Sequence, residues 1–233
     1  MRPRFVAVQT QNSGHTQYHV LISIRYIALS HVHIFDALTT VIGCLYMALL
    51  AFTTDMSAPT IVAHGTYPCA LMNWRYLLQG KHSKFGISKA AGIVMTLGTT
   101  VLPAMIRSGK FDSALIAKVN ILVPVLMGAL GFVNRELGMK VFGYEGKLAE
   151  ADGVTRAICG WFCDSMAMWA IVAGLLLAGY EARVAVGCSA LFFFVDLVNN
   201  NYLSKRNEAL DTDPIPDAVF ALILGGISYG LLA

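Results

Sequence analysis

Within the apolar stretch AVGCSALFFFVDLVNNNYL (Ala185 to Leu203) stand a carboxylate, Asp196, and three carboxamides, Asn199, Asn200 and Asn201. A charged Asp at a bilayer centre costs about 2.5–3.5 kcal/mol on insertion scales, so such a residue faces a bundle interior, carries a proton or meets a partner. On a helix, Asn199 and Asn200 lie at i+3 and i+4 from Asp196 and share its face. Carboxamides donate to a carboxylate and accept from a solute, so the cluster has the ingredients of a polar site. The alternative is that the amides cap the helix end and tie neighbouring helices together.

A second deep carboxylate, Asp164, lies in ICGWFCDSMAMW, and Asp36 is its candidate counterpart near the start of the first apolar run. Two acids in one bundle can relay protons; equally, either can pair with Lys118, one turn or more into its own apolar segment, as a buried ion pair. Asn73 and Asn120 are further amides inside apolar runs. Asp196, Asn199, Asn200, Asp164, Asn73 and Asn120 are thus the candidate pathway or substrate-binding residues.

Other chemistries are poorly supplied. His64 is the one histidine well inside an apolar segment, so paired axial haem ligation has no second donor, and a packing role is expected for it. Cys159 and Cys163 share a helix face without His or further Cys nearby, which is a poor metal set. GCSA at Gly187 to Ala190 has no later His to activate its serine, since none follows His82. No Walker loop, dinucleotide fingerprint, HExxH or calcium loop occurs. No metal and no cofactor is expected. GISYG (Gly226 to Gly230) fits the small-xxx-small helix-contact pattern.

The elements that must hold these groups follow from composition. Of 233 residues, 56% are hydrophobic and 13% charged, with mean hydropathy +0.62. Soluble domains carry about 25% charge, so the expected solvent is lipid and the fold class is an all-α polytopic transmembrane bundle. Net charge +3 and the absence of long basic runs argue against nucleic acid. The five cysteines lie in or beside apolar runs, as buried free thiols do.

Seven segments approach the roughly 20 residues that a bilayer core demands: 34–53, 57–78, 86–106, 112–133, 155–179, 183–203 and 215–233. The second is interrupted by Gly65 and Pro68. Residues 1–33 form a separate, basic, acid-free leader, either an organelle transit segment or an interfacial helix; residues 34–233 form the membrane domain. The segment from Asn134 to Arg156 balances its charges and reads as a solvated connector.

The threading also sorts the charges. Of the 17 Lys and Arg, only Arg107, Lys110, Lys118 and Arg183 fall on one side. This positive-inside bias puts the N-terminus in the cytosol, matrix or stroma and the C-terminus opposite. Retinal proteins and G-protein-coupled receptors have the reverse sense, and the last segment contains no Schiff-base lysine.

A faint internal similarity suggests a 3+1+3 plan of parallel repeats. IFDA around Asp36 answers FCDS around Asp164, NWRYL at Asn73 answers NNNYL at Asn199, and Ile87 follows Asp36 at the spacing at which Ile215 follows Asp164. Parallel repeats are a transporter device. The likeness is architectural only, for the chain has no Pro-Gln dipeptide of the PQ-loop carriers.

The leading functional expectation is a carrier or channel-like protein for a small solute or ion. A non-catalytic accessory subunit partnered by other membrane subunits is the second reading. The third is a membrane-embedded isomerase, cyclase or transferase on a lipophilic substrate, with an Asp general acid. The bilayer is the partner common to all three. Reporters fused to each terminus should read out on opposite sides of the membrane; both on one side would sink the seven-segment threading.

Overall fold

A computed structural model describes residues 39–80, 87–147, 153–199 and 215–233. The leader 1–33, Asp36, Asn200, Asn201 and Tyr202 lie outside the described residues.

Among the described residues the protein is all-helical, with one isolated bridge, Ile87 to Tyr144. The elements are α1 (Thr39–Thr53), α2 (Ala58–Leu78), α3 (Lys89–Ser108), α4 (Ser113–Val133), α5 (Arg135–Val141), α6 (Gly153–Leu177), α7 (Ala182–Val198) and α8 (Ile215–Leu232). Local chemistry sets their ends. The Ser88 hydroxyl accepts from Ala91 N–H at the start of α3. Asp112 accepts from the N–H groups of Ala114 and Leu115 to open α4, satisfying donors that a helix start leaves unpaired. Gly109, at φ 64°, ends α3 in the left-handed conformation that glycine adopts without strain.

Among the described residues three helices are long and apolar enough to cross a membrane: α3, α4 and the Cys159–Leu177 part of α6. Helices α1 and α8 are apolar but shorter within the described residues. The outward faces of the bundle are greasy: Val94, Leu97 and Val101 on α3, Leu115, Val119 and Leu122 on α4, and Val219, Phe220, Leu222 and Ile223 on α8 are exposed. Exposed apolar surface on that scale marks contact with something other than water. The chain has the make-up of a membrane protein.

Helix α6 is the centre. Of its apolar stretch 72% is buried, against 22% for α3 and 28% for α4. Its tightest neighbour is α4: a Cβ on Gly128 would stand 2.7 Å from Ala167 Cα, and one on Gly131 2.7 Å from Cys163 Cβ. Glycine is required there because backbone meets neighbour with no room for a side chain. The pairing of 128 with 167 and 131 with 163 makes the two helices antiparallel. The same sense holds for α1 with α2 at Gly43 and Gly65, for α2 with α3 at Asn73 to Thr99 and Tyr67 to Arg107, and for α7 with α8 at Gly187 to Leu232 and Phe194 to Gly225.

Several expectations change. Gly65 does not interrupt the second segment: α2 is continuous, and Gly65 is where α1 crosses it, with the Met47 side chain against the site a Cβ would take. The stretch from Asn134 to Tyr144 is packed and is not a solvated connector. Asn134 leaves the helical conformation (φ −151°), accepts from Glu136 and Leu137 N–H, and starts α5 folding back on α4. Met139 and Phe142 are buried, and Phe142 meets Phe162 edge-on with centroids 4.7 Å apart. Nor does GISYG make the contact its pattern suggests: Cβ atoms on Gly226 and Gly230 would meet nothing within 4 Å.

Gly128→Leu should destabilise the protein by about 3 kcal/mol, because its neighbour is backbone that cannot move aside. Gly98→Leu, at a position with nothing within 4 Å, should change stability by less than about 0.5 kcal/mol. Thermal midpoints of the two variants in one detergent check the contrast; equal midpoints would refute it.

Candidate functional site

Helices α4, α6 and α7 line an open groove of about 1080 Å³. Helix α4 contributes Val125, Ala129 and Phe132, α6 contributes Ala167, Ala170 and Ile171, and α7 contributes Leu191, Phe192, Val195, Asp196 and Asn199. The small residues of the α4–α6 crossing leave the slot open, and Phe132 and Phe192 (centroids 6.4 Å apart) stand across it. From Cys188 to Asn199 the α7 wall runs about 16 Å at the usual helical rise. The wall is apolar along its length, apart from the Cys188 thiol, until Asp196 and Asn199 at the end where α4 gives way to α5. An apolar groove with a few polar groups at one end is the form that small-molecule sites take.

Asp196 is 8% exposed. Its helix is set against α6 by the Ser189 hydroxyl, which donates to the Met168 carbonyl at 3.1 Å. Asp196 follows Ser189 by seven residues and so lies on the same face of α7. Asp164 precedes Met168 by four, on the same face of α6. Because the two helices run antiparallel, the carboxylates sit within about one helical turn of each other in height. Asp196 is on the groove wall; Asp164, 4% exposed, is in the core and not among the lining residues.

Of the six residues singled out from sequence, the structure brings Asp196 and Asn199 into one groove. Asn200 lies outside the described residues. Asn73 and Asn120 go elsewhere. Asn73 Nδ2 donates to Thr99 Oγ1 at 3.4 Å, between α2 and α3. Asn120 Nδ2 donates to Thr66 Oγ1 at 2.8 Å, between α4 and α2. Each ties two helices where water cannot serve. Lys118 is exposed on α4 and makes no ion pair with Asp164; the helix turns Ala117 and Ile121 inward instead. His64 packs edge-on against Tyr46 and Tyr67, as expected for a packing histidine.

Sequence reasoning missed Arg135. Its guanidinium lies over Gly160, where a Cβ would stand 2.7 Å from Cζ. That brings a cation to the α6 face one turn before Asp164. The available signal was the Asn134-Arg135-Glu136 start of a short helix. Small and aromatic lining residues on α4 carry no polar signature and could not have been picked out.

Among the described residues no group of three or more His, Cys, Asp or Glu is placed to hold a metal ion. Comparison with models of known protein families, with curated proteins and with solved structures returned no match.

Cys188 lines the groove half-buried, Cys69 is also half-buried, and Cys44, Cys159 and Cys163 are buried. A lipophilic maleimide should modify Cys188 and Cys69 while the other three stay protected until unfolding. Added long-chain fatty alcohol should slow the reaction at Cys188 alone. Mass mapping checks both, and equal slowing at Cys69 would remove the groove as the cause.

Proposed function

We propose that the protein is a seven-span membrane protein, N-terminus on the basic side, that carries a lipophilic solute bearing a hydrogen-bonding head group. The α4/α6/α7 groove is the binding slot, and Asp196 and Asn199 grip the head group. The observation that carries this reading is the composition of the slot: an apolar wall about 16 Å long that ends in a buried carboxylate and an amide. A small hydrophilic solute would lose its hydration along such a wall without replacement; a lipophilic one loses nothing.

Further support for the span count comes from the alternation of the long helices, each antiparallel to the next packed against it. The parallel-repeat plan is consistent with the close pairing of α2 with α3 and of α7 with α8. Its matches at Asp36 and Tyr202 fall outside the described residues. Within this plan the leader 1–33 stays on the basic side and 34–233 forms the membrane domain.

One observation favours a second reading. A single acid at the wall of an apolar slot also suits an enzyme that protonates a lipophilic substrate. The two separate at Asp196→Asn, which keeps the shape and removes the acid. An enzyme would lose turnover and keep binding, whereas a carrier would lose about tenfold in affinity as a charged hydrogen bond becomes a neutral one.

A photoactivatable long-chain fatty alcohol should crosslink to Leu191, Val195 or Phe132 in the wild type, and filling the slot with Ala129→Trp should abolish the crosslink. If the wild type captures no such probe and crosslinks instead to another membrane protein through this face, the accessory-subunit reading takes its place.

A further inference from the structure

We propose that the opposite end of the bundle, at the α3–α4 hairpin, is a binding site for the phosphate headgroup of an anionic phospholipid. Three of the four basic residues on that side, Arg107, Lys110 and Lys118, fall within one hairpin. The inference rests on the membrane embedding of α3 and α4, two of the three helices long and apolar enough to span. It depends neither on the groove nor on which side faces the cytosol.

Arg107, exposed in the last turn of α3, is held in place: its Nη1 donates to Tyr67 Oη at 2.9 Å. Tyr67 packs edge-on to His64 (5.3 Å) and His64 to Tyr46 (6.2 Å), a row that joins α1, α2 and α3. A guanidinium has five N–H donors in a fixed fork, so one bond to Tyr67 leaves the rest for a phosphate. The phenol, accepting from Arg107, keeps its own O–H to donate. Lys110 and Lys118 are exposed, and neither has an ion-pair partner among the described residues. The hairpin's one acid, Asp112, caps α4, with Oδ1 accepting from Ala114 and Leu115 N–H at 3.0 and 3.1 Å.

The flanks choose the source of the phosphate. Leu97 and Val101 on α3, and Leu115, Val119 and Leu122 around Lys118, are exposed apolar side chains. They offer a bed for acyl chains, which a free phosphate would not use. Lys118, more than a turn inside α4, extends its ammonium toward the headgroup level as membrane lysines do.

The test uses the full chain in neutral detergent with added phosphatidylglycerol or phosphatidylcholine of matched chains, and native mass spectrometry counts the lipid retained. The wild type should retain phosphatidylglycerol at least about tenfold over phosphatidylcholine, three cations at the headgroup being ample for that. Arg107→Gln/Lys110→Gln/Lys118→Gln should bring the two lipids to parity. A charge-matched control at the other end, Lys89→Gln/Lys140→Gln/Arg156→Gln, should keep the preference. Tyr67→Phe retains the ring against His64 and removes the hydroxyl; it should lower the preference several-fold, and it serves if the triple variant fails to fold. The proposal is overturned if the hairpin variants keep the wild-type preference. It is equally overturned if millimolar inorganic phosphate displaces the lipid, which would mark a free-anion site. A groove that binds nothing would leave this result untouched.

Discussion

The close crossing of α4 over α6 is the contact on which the rest of the bundle depends. Gly128 and Gly131 bring the α4 backbone onto Cys163 and Ala167. In a lipid solvent the hydrophobic effect does not drive helices together, so this intimacy of backbone and small side chains supplies the attraction. Helix α5 extends the same device: Gly138 packs on Gly131 and the Met127 carbonyl, which seats Met139 and Phe142 against Phe162. With α4 pulled in, α6 becomes the axis around which α1, α2 and α7 arrange. The slot between α4, α6 and α7 is what the crossing leaves behind.

Polar side chains do two different jobs in this apolar setting. Thr66, Thr96, Thr99 and Thr100 return their hydroxyl hydrogens to carbonyls of the preceding turn. The oxygens of Thr66, Thr99 and Thr100 then accept across interfaces, from Asn120, Asn73 and, at 2.8 Å, Trp74 Nε1 respectively. These pairs make α2, α3 and α4 one unit, since an unsatisfied polar group in hydrocarbon costs several kcal/mol. Asp196 is a different case, for its helix is held by Ser189 and Gly187 instead. The carboxylate lines the slot.

The two ends of the bundle differ in build. At the basic end the chain folds α5 inward and places the Arg135 guanidinium on Gly160, near the polar end of the slot. At the other end the turns are short, the helices stop on Gly109 and Gly179 in the left-handed conformation, and the cations gather outside on the α3–α4 hairpin. One end holds charge against the core; the other presents it outward, each according to whether neighbouring backbone leaves room.

The sequence by itself pointed to the solvent, to the long helices and to the pairing of Asp196 with Asn199 on one helix face. Low charge and long apolar runs point to lipid, and apolar length and turn chemistry place the long helices to within a few residues, whereas α5 lay in a stretch read as a connector. Asp196 with Asn199 was legible because i, i+3 spacing on a helix needs no tertiary information. The packing roles of His64, Cys159 and Cys163 were legible too, from the lack of further ligands. What only the tertiary structure decided was which neighbour each face meets. Asn73, Asn120 and Asp196 look alike in sequence, yet two face a threonine across an interface and one faces a slot, a difference set by helix rotation. Lys118 looked able to reach Asp164 by depth and is turned outward by the same rotation. Gly65 reads as a breaker and is a contact; Gly226 and Gly230 read as a contact and touch nothing. Glycine's role is defined by what stands opposite it, and that is a property of a pair of helices, which no single run of residues contains.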